Sequence, residues 1–577
     1  MHDLVIKGGR IVDGSGKAAF TGDVAVDGGV ITAVGGKAGP AHREIDADGL
    51  LVTPGFVDIH THYDGQVTWD PYLAPSGWNG VTTVVMGNCG VGCAPAAPDR
   101  HDWLIGLMEG VEDIPGTALA EGIDWSWESF PEYLDALDAK DLALDVGTQV
   151  PHGAVRAYVM GERGARNEAA TDADIAAMAD IVEQALKAGA LGFSSSRTML
   201  HRSVDGEPVP GTFAGHDELI GIGRACGRAG HGVFEIASDF GIGGMEGRFN
   251  EDVIWMRDLS RETGLPVSFI LAQSPLSKDE WRRIATWAEE AVEGGARLML
   301  QTGIRPPGLL LGFESSLHPF MGHPAYMAVA DRPLAERVRH LSDPAVRETL
   351  LAEESTLKGE FTSFVFSHFQ GMFPLGDPPD YEPGPDRSIA AMAERDGRAP
   401  KELLLDMMLG REGRELIYFP LLNYADGDFA AIEQMMNHPL SLISLSDGGA
   451  HCGLICDASA PTYMLTHWVR DRSRGPRLSL EMAVRKQSHD TARAYGMHDR
   501  GLIAPGMKAD LNVIDFDRLS LGPPRMVNDL PAGGRRLLQD VDGYRATVVN
   551  GETTYWNGEP TGAMPGALVR GPQQSPA

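Results

Sequence analysis

Short apolar segments alternate with amphipathic helical patterns through the middle of the chain, and this alternation restricts the fold more than any other feature. Helical patterns such as Asp172 to Lys187 and Asp217 to Arg228 place apolar residues on one stripe, as helices that cover a sheet do. Strands that alternate with helices at this spacing form parallel sheets. We therefore predict an α/β fold with a TIM (β/α)8 barrel over residues 55–480, its strands at Val57 to His60, Thr82 to Met86, Leu144 to Gln149, Ala190 to Ser194, Val233 to Ala237, Pro266 to Leu271, Arg297 to Gln301 and Leu442 to Leu445.

The two ends of the chain share a different texture, in which short β patterns are separated by Gly-rich turns. We expect residues 1–54 and 481–562 to pair in one small β-sandwich domain. Residues 305–440 are too many for a single connection in a barrel, so they predict an inserted lid subdomain. The last residues, 563–577, have the composition of a disordered tail.

The charge of the chain excludes several classes of partner. A formal net charge of -31 over 577 residues repels phosphate backbones and anionic membranes, so we expect neither nucleic acid nor membrane as a partner. No leader-like start or membrane-spanning apolar run is visible, which makes the cytoplasm the default location. A small-molecule substrate is expected, and a homo-oligomer is left open. Five cysteines, an odd number, predict reduced thiols and not a disulfide framework.

Two histidines, His60 and His62, lie at the end of the first predicted strand. Side chains two residues apart leave the same face of a strand, so the two imidazoles can bind one metal ion. In a parallel barrel the carboxyl ends of the strands carry the chemistry. The alternative is a pair of histidines without a ligand.

Further ligand-type residues follow other predicted strands. Cys89 comes after the second strand and Asp447 after the eighth. Two imidazoles, a thiolate and a carboxylate suit a zinc-like ion, and the Asp447 carboxylate can also accept a proton from water. The Cys-x3-Cys pairs, Cys89 with Cys93 and Cys452 with Cys456, leave a structural zinc site as a minor alternative.

Five longer motifs contain or accompany these residues: Pro54-Gly55-Phe56-Val57-Asp58-Ile59-His60-Thr61-His62-Tyr63-Asp64, Gly87-Asn88-Cys89-Gly90, Gly192-Phe193-Ser194-Ser195-Ser196, Ser446-Asp447-Gly448-Gly449-Ala450-His451 and Gly501-Leu502-Ile503-Ala504-Pro505-Gly506-Met507-Lys508-Ala509-Asp510-Leu511. With these motifs the chain resembles, almost end to end, the amidohydrolase superfamily and, within it, the N-acyl-D-amino-acid deacylase (D-aminoacylase) group. The resemblance implies that metal-activated water attacks an amide carbonyl, that Asp447 shuttles the proton, and that Cys89 replaces the bridging carboxylated lysine of other amidohydrolases.

Two positions depart from that group. It carries a histidine at the end of strand five and another at the end of strand six, where this chain has Ala237 and Leu271, and no lysine follows strand six to hold a substrate carboxylate. We therefore predict one divalent ion, zinc by its ligands, in place of two. Glu235 faces the same barrel interior as Ala237 and is a candidate ligand, with a salt bridge to a buried Arg or Lys as the alternative. Asp239 is a similar candidate.

Several other polar residues follow the predicted strands. His152 is a candidate catalytic residue that would hydrogen-bond a carbonyl or its oxyanion, with a structural role as the alternative. His201, Arg202 and Arg305 are candidates for substrate binding, since either arginine would hold a carboxylate by two parallel hydrogen bonds unless it is a solvated surface residue. His451 would orient Asp447 or cap the helix that follows.

Together these features predict a metal-dependent hydrolase of a non-peptide amide bond. N-acyl-D-amino acids are the leading substrates, and this rests on the resemblance alone. An amidohydrolase of another substrate class, such as a cyclic amide, an anilide or an ester, is the alternative, and a non-catalytic metal- or ligand-binding relative is a further one.

Overall fold

The computed structural model of the protein has a central sheet of eight parallel strands. The structure describes residues 1–239, 246–444 and 446–576, without the side chains of residues 246–251 and 360. Neighbouring strands pair in chain order, as in a TIM barrel, so the predicted fold class is confirmed. The strands are Phe56–Asp58, Val81–Met86, Asp145–Pro151, Gly192–Arg197, Val233–Ser238, Val267–Ile270, Leu298–Thr302 and Ser441–Ile443, called strands one to eight below.

The first and last of these strands meet just beyond their carboxyl ends. Thr61 and Gly448 form a parallel bridge, in which the His62 amide donates to the Gly448 carbonyl over 2.7 Å. The Ser446 hydroxyl also donates to the Asp58 carboxylate. These bonds bring the segments after strands one and eight together at the edge where barrel enzymes carry their chemistry. Leu445, the predicted end of strand eight, lies outside the described residues.

Helices cover the barrel strands. The helix predicted at Asp172 to Lys187 spans Asp172–Ala188 and begins with a capping box between Thr171 and Asp174. No helix in the described part of the chain is long and apolar enough to cross a membrane. Apart from those of the small unit described below, the helices are His101–Glu112, Gly116–Gly122, Phe130–Asp138, His152–Met160, Glu162–Ala165, Asp172–Ala188, His216–Ala229, Glu246–Thr263, Glu280–Glu293, Ala430–Asn437, Ala460–Tyr463, the π-helix Met464–Asp471, Leu480–Gln487 and His489–Ala494, with 3-10 turns at Gln66–Thr68, Ser76–Asn79 and Pro531–Gly533.

Both ends of the chain contribute to one nine-stranded sheet. Leu51–Pro54 pairs antiparallel with Leu511–Ile514, and this pairing joins the two termini. Apolar side chains from both ends are buried in a common core. The strands of this sheet are His2–Ile11, Phe20–Asp27, Val30–Val34, Ala41–Asp46, Leu51–Pro54, Leu511–Ile514, Tyr544–Val549, Glu552–Trp556 and Glu559–Pro560, and two small ribbons pair Ser520–Leu521 with Val541–Asp542 and Arg525–Leu530 with Gly534–Leu538.

The segment between strands seven and eight builds a small unit with its own apolar core. Its three-stranded sheet consists of Gly308–Leu311, Phe373–Pro374 and Ile417–Pro420. Its helices are Pro324–Met327, Leu334–Leu341, Pro344–Ala352, Glu360–Ser367, Ile389–Asp396, Pro400–Met408 and the short Gly410–Gly413, with 3-10 turns at Phe369–Gly371 and Pro385–Arg387.

The C-terminal tail differs from the prediction of disorder. The Val146 amide of strand three donates to the Ala567 carbonyl over 3.0 Å, and the Val569 amide donates back to the Val146 carbonyl over 2.7 Å. Leu568 and Val569 are buried. Two apolar side chains and a short run of backbone bonds anchor a segment whose polar composition suggested that it had nothing to bury.

Removal of residues 563–577 should destabilise the barrel, whereas removal of 574–577 should not. The first truncation exposes the apolar surface under Leu568 and Val569 and unpairs Val146, a loss of about 3 kcal/mol. Melting temperatures of both truncations, recorded at one scan rate, test this. Equal melting temperatures for the full chain and the longer truncation would contradict it.

Candidate metal centre

His60 and His62 lie directly after strand one, where the chain enters the mouth of the barrel. Both side chains are buried, and their ring centroids are 5.4 Å apart at an interplanar angle of 67°. The His62 backbone is held by its bond to Gly448 beyond strand eight. Barrel closure and the position of the histidine pair therefore depend on the same few residues.

Cys89 lies in a tight turn after strand two. Its backbone has the left-handed φ of 57°, between Gly87 and Gly90, which also have positive φ. The Asn88 side chain fixes this turn by donating to the carbonyls of Thr61 and Val85 over 3.0 and 2.9 Å. The turn places the Cys89 Sγ atom 3.2 Å from the His60 Nε2 atom.

The side chains of His60, His62 and Cys89 each offer one ligand atom, and these three atoms lie within 4.8 Å of one another. The Asp447 Oδ1 atom lies 3.7 Å from His60 Nε2 and 3.8 Å from His62 Nε2, too far for hydrogen bonds. Ligand atoms that share one tetrahedral zinc ion are separated by roughly 3.3–3.6 Å. The His60, His62 and Cys89 side chains therefore lie close enough for one metal ion, and the Asp447 carboxylate lies beside the two histidines.

Asp447 adopts a left-handed φ of 49°, which is uncommon outside glycine. The residue sits in the turn after strand eight, where its own carbonyl accepts from the Ala450 amide over 2.9 Å. Its side chain keeps 15% exposure, whereas those of His60 and His62 keep 1% each. Asp447 is thus the most accessible of the four candidate ligands.

Glu235 of strand five lies beside this group without joining it. Its Oε2 atom accepts from the Cys89 amide over 3.1 Å, and its Oε1 atom has no hydrogen-bond partner among the described residues. The alternative prediction, a salt bridge to a buried Arg or Lys, is not found in the described part of the chain. Glu235 therefore fixes the Cys89 turn through one carboxylate oxygen, and its other oxygen accepts no hydrogen bond from the described residues.

Burial shifts the protonation of all these groups. It raises the pKa of Asp447 and of Glu235 to about 8 and that of the Cys89 thiol well above its usual range, and it lowers the pKa of His60 to about 4. Neighbouring acids add to the shifts of Cys89 and Glu235, and no Arg or Lys is among the largest causes for either group. Buried carboxyl and thiol groups are costly to ionise when no Arg or Lys is paired with them. A divalent cation that binds such groups offsets this cost, so their surroundings suit a metal ion.

Gln301 of strand seven positions His60, a role that no sequence motif predicted. Its Oε1 atom accepts from His60 Nδ1 over 2.9 Å and from the Ser444 hydroxyl over 2.7 Å, and its amide nitrogen donates to Ser268 over 2.9 Å. An Nδ1–H bond of this kind leaves the Nε2 lone pair of His60 free to bind metal. The signal in the sequence was a polar residue at the end of an apolar strand.

Glu112, the last residue of the helix His101–Glu112, was also missed. It is buried, with its Oε1 atom 3.2 Å from His62 Nδ1 and its Oε2 atom 3.9 Å from His451 Nε2. Burial and the neighbouring Asp447 and Asp64 raise the pKa of this carboxyl. No strand-end pattern marks Glu112 in the sequence, because it reaches the centre from the far end of a helix.

His451 and His201 lie around the same centre. The His451 backbone amide donates to the Glu112 carbonyl, so this histidine faces Glu112 and makes no hydrogen bond to Asp447 in the described structure. The His201 Nδ1 atom lies 3.4 Å from the Ser196 hydroxyl. Burial and neighbouring histidines lower the pKa of His201 to about 3, and burial lowers that of His451 to about 4, so both are neutral imidazoles at pH 7.

The structure corrects the expectation for His152. Its Nδ1 atom is 2.8 Å from the Ser195 hydroxyl and its Nε2 atom is 2.9 Å from Glu218. With both ring nitrogens engaged and the side chain fully buried, His152 has none left for a substrate carbonyl. The structural role is the one observed.

Asp239 does not join the candidate metal ligands. Its Oδ2 atom accepts a hydrogen bond from the Met199 amide over 2.9 Å.

The two candidate arginines are not brought to the centre. Arg305 is buried, donates to Asp457 over 2.8 Å and stacks 4.1 Å over the Tyr381 ring. Arg202 is exposed and donates to the Gly206 carbonyl of its own loop over 2.7 Å.

All five cysteines are free and buried, and in the described ranges His60, His62 and Cys89 are the one group of three ligand-type side chains close enough for an ion. The alternative of a structural zinc site between Cys-x3-Cys pairs is therefore not observed there.

Comparison with known proteins agrees with this site. Residues 43–555 match the model of the amidohydrolase family, so the chain belongs to that family. Within that family its sequence and fold are similar to those of D-aminoacylases and related deacylases.

Two groups of relatives are informative. The chain is 28% identical over 575 residues to an N-acyl-D-aspartate deacylase of Alcaligenes xylosoxydans xylosoxydans, covering 98% of this chain and 95% of the relative. It is 26% identical over 523 residues to an N-acyl-D-glutamate deacylase of the same organism, covering 89% and 88%. A D-aminoacylase structure from work on its binuclear metal centre covers 99% of this chain and all of its own at 24% identity and a TM-score of 0.64. An N-acyl-D-glutamate deacylase of Bordetella bronchiseptica, complexed with zinc and a phosphonate inhibitor, gives 24% identity and a TM-score of 0.63 over 99% of each chain. The two structures show the fold.

Replacement of Gln301 by Leu should weaken metal binding about 10- to 100-fold, because His60 loses the acceptor that fixes its ring. Gln301→Glu, which keeps an acceptor oxygen, should bind metal more tightly than Gln301→Leu. Competition with a chromophoric chelator measures both affinities, and circular dichroism checks that the variants are folded. Equal metal affinity in Gln301→Leu and the unaltered protein would refute this role.

Proposed function

We propose that this chain is a metal-dependent hydrolase that cleaves a non-peptide amide bond. The proposal depends on His60, His62 and Cys89, whose ligand atoms lie within 4.8 Å of one another at the carboxyl edge of the barrel, with the Asp447 carboxylate within 3.8 Å of both histidines. His60, His62 and Cys89 would hold the ion, and Asp447 would be its fourth ligand. When bound, a divalent ion supplies a Lewis acid that polarises a carbonyl and makes water more acidic.

The residues of the chain account for the proton transfers of the reaction. Asp447 is the most accessible acid of the set, so its carboxylate accepts a proton as water adds to the amide carbon. It then gives that proton to the leaving nitrogen as the C–N bond breaks, so that amide and water yield a carboxylic acid and an amine. Gln301 keeps His60 in the tautomer that this arrangement needs.

One zinc ion is the cofactor we propose. Imidazole and thiolate donors favour zinc over magnesium or calcium, which prefer oxygen. The ends of strands five and six hold Ala237 and Leu271, both buried and without a donor side chain, so a second ion would lack ligands there. Glu235 remains next to the first ion as a buried acceptor for the Cys89 turn.

Two substrate classes follow from different observations. The names of the relatives make N-acyl-D-amino acids the first substrates to test. The apolar residues at the ends of strands five and six, where the resembled group has histidines, favour a different amide, such as a cyclic amide or an anilide, or an ester.

Asp447→Asn should lower kcat by roughly 10²- to 10⁴-fold on any substrate that the protein hydrolyses, because an amide cannot accept the proton. Steady-state rates with the metal content measured in the same samples test this. Asp239→Asn is the matched control, since this aspartate also ends a strand but accepts a backbone bond that an asparagine oxygen can accept.

The control variant should keep its rate within about threefold. An Asp447→Asn enzyme as active as the unaltered protein, with its metal in place, would overturn the proposed mechanism.

A further inference from the structure

A cavity of about 620 Å³ lies between the loop after strand one and the C-terminal strands of the chain. Trp69, Tyr72 and Trp78 of that loop and Tyr555 of the terminal sheet line it with four aromatic rings. Among the described residues that line it, none is a candidate metal ligand, so the cavity does not include the metal centre. Its volume is typical of sites that bind small molecules.

The aromatic rings are held in place by the chain itself. The Asp70 carboxylate accepts hydrogen bonds from the Tyr72 and Ala74 amides over 2.9 Å each, and these bonds fix the turn that carries Trp69 and Tyr72. Tyr72 meets Tyr555 edge-on, with ring centroids 5.7 Å apart at an interplanar angle of 63°. Rings that are already fixed lose little freedom when a ligand binds, so the cavity offers a preformed aromatic surface.

Two of the acids that line the cavity are paired with arginines. Arg536, the one base among the described lining residues, donates to the Asp529 carboxylate over 2.8 and 2.9 Å. The Asp540 carboxylate accepts from Arg525, which does not line the cavity, over 3.0 and 2.8 Å. Each pair is close to neutral, so neither arginine is free to receive an anionic ligand.

The other two acids, Asp70 and Glu559, have no basic partner. Asp70 accepts from two backbone amides and from the Gln66 side chain, all of which are uncharged donors. Glu559 is exposed and makes no ion pair with a described side chain. Burial, followed by the charge of Asp70, raises the pKa of the Tyr555 phenol, so this carboxylate acts on one of the four rings. The cavity therefore combines aromatic rings with an excess of negative charge.

Rings and carboxylates together favour organic cations over other small molecules. The face of a Trp or Tyr ring attracts an ammonium group, and the alkyl groups of an alkylated ammonium ion also bury apolar area against such rings. The carboxylates would repel an anion. A neutral sugar could stack on the rings, but it would gain nothing from the charge.

We propose that this cavity binds a small organic cation of the alkylated-ammonium class, packed against its four aromatic rings and stabilised by the charge of Asp70 and Glu559. The net charge of -31 on the whole chain attracts the same class of ligand. The proposal concerns a binding site away from the hydrolytic centre, so it does not depend on the proposed hydrolysis.

Choline and neohexyl alcohol are matched probes, because they have the same shape and carbon replaces the charged nitrogen in the alcohol. Isothermal titration calorimetry of the full chain should show saturable binding of choline, with an association constant at least about tenfold above that of the alcohol. Added NaCl should weaken the binding of choline, since it screens the carboxylates. Equal binding of the two probes, tighter binding of glucose than of choline, or no saturable binding of choline would overturn the proposal.

Three variants test whether choline binds in this cavity. Trp78→Leu removes one ring and should lower the association constant of choline about three- to tenfold. Trp556→Leu is the matched control and should leave the constant unchanged, because Trp556 lies next to Tyr555 and is 41% exposed but does not line the cavity. Glu559→Gln changes an exposed position and should lower the constant about two- to threefold, which keeps the test open if circular dichroism shows that Trp78→Leu does not fold. Unchanged choline binding in a folded Trp78→Leu or in Glu559→Gln, or an equal loss in Trp556→Leu, would contradict the proposed site.

Discussion

The burial of acids and a thiol, with no Arg or Lys paired to them among the described side chains, is the constraint on which the centre of this protein depends. Glu112, Glu235, Cys89 and Asp447 crowd two imidazoles at the mouth of the barrel, and burial makes each of these groups costly to ionise. A divalent cation offsets that cost for several groups at once. The local strain is consistent with this, because Cys89 and Asp447 both hold a left-handed backbone that brings their side chains to the histidines.

Much of the framework could be predicted from the amino-acid sequence. Barrel strands are buried on both faces, so they appear as short apolar runs, and the residues that follow them meet at one edge whatever their distance along the chain. This is why the order of the strands alone is enough to group His60, His62, Cys89 and Asp447. Strand boundaries moved by a few residues, as in Phe56–Asp58 for the predicted Val57 to His60.

Other parts of the site follow from contacts that no sequence pattern marks. Gln301 and Glu112 matter because of which atoms they face across the barrel, and a strand position or a helix end does not reveal that. The same holds for the errors. His152 and Arg305 follow strands as catalytic residues do, yet Glu218 and Asp457, distant along the chain, engage them. The C-terminal tail is ordered because strand three offers it backbone partners.

The chain therefore combines the amidohydrolase framework with the apolar side chains of Ala237 and Leu271 at the ends of strands five and six. The proposed metal centre is tested most directly by the metal content of the purified protein, measured by inductively coupled plasma mass spectrometry together with protein concentration. We expect one zinc ion per chain, lost in His60→Ala/His62→Ala and retained in Glu235→Gln. Two ions per chain, or none in a folded and active protein, would contradict it.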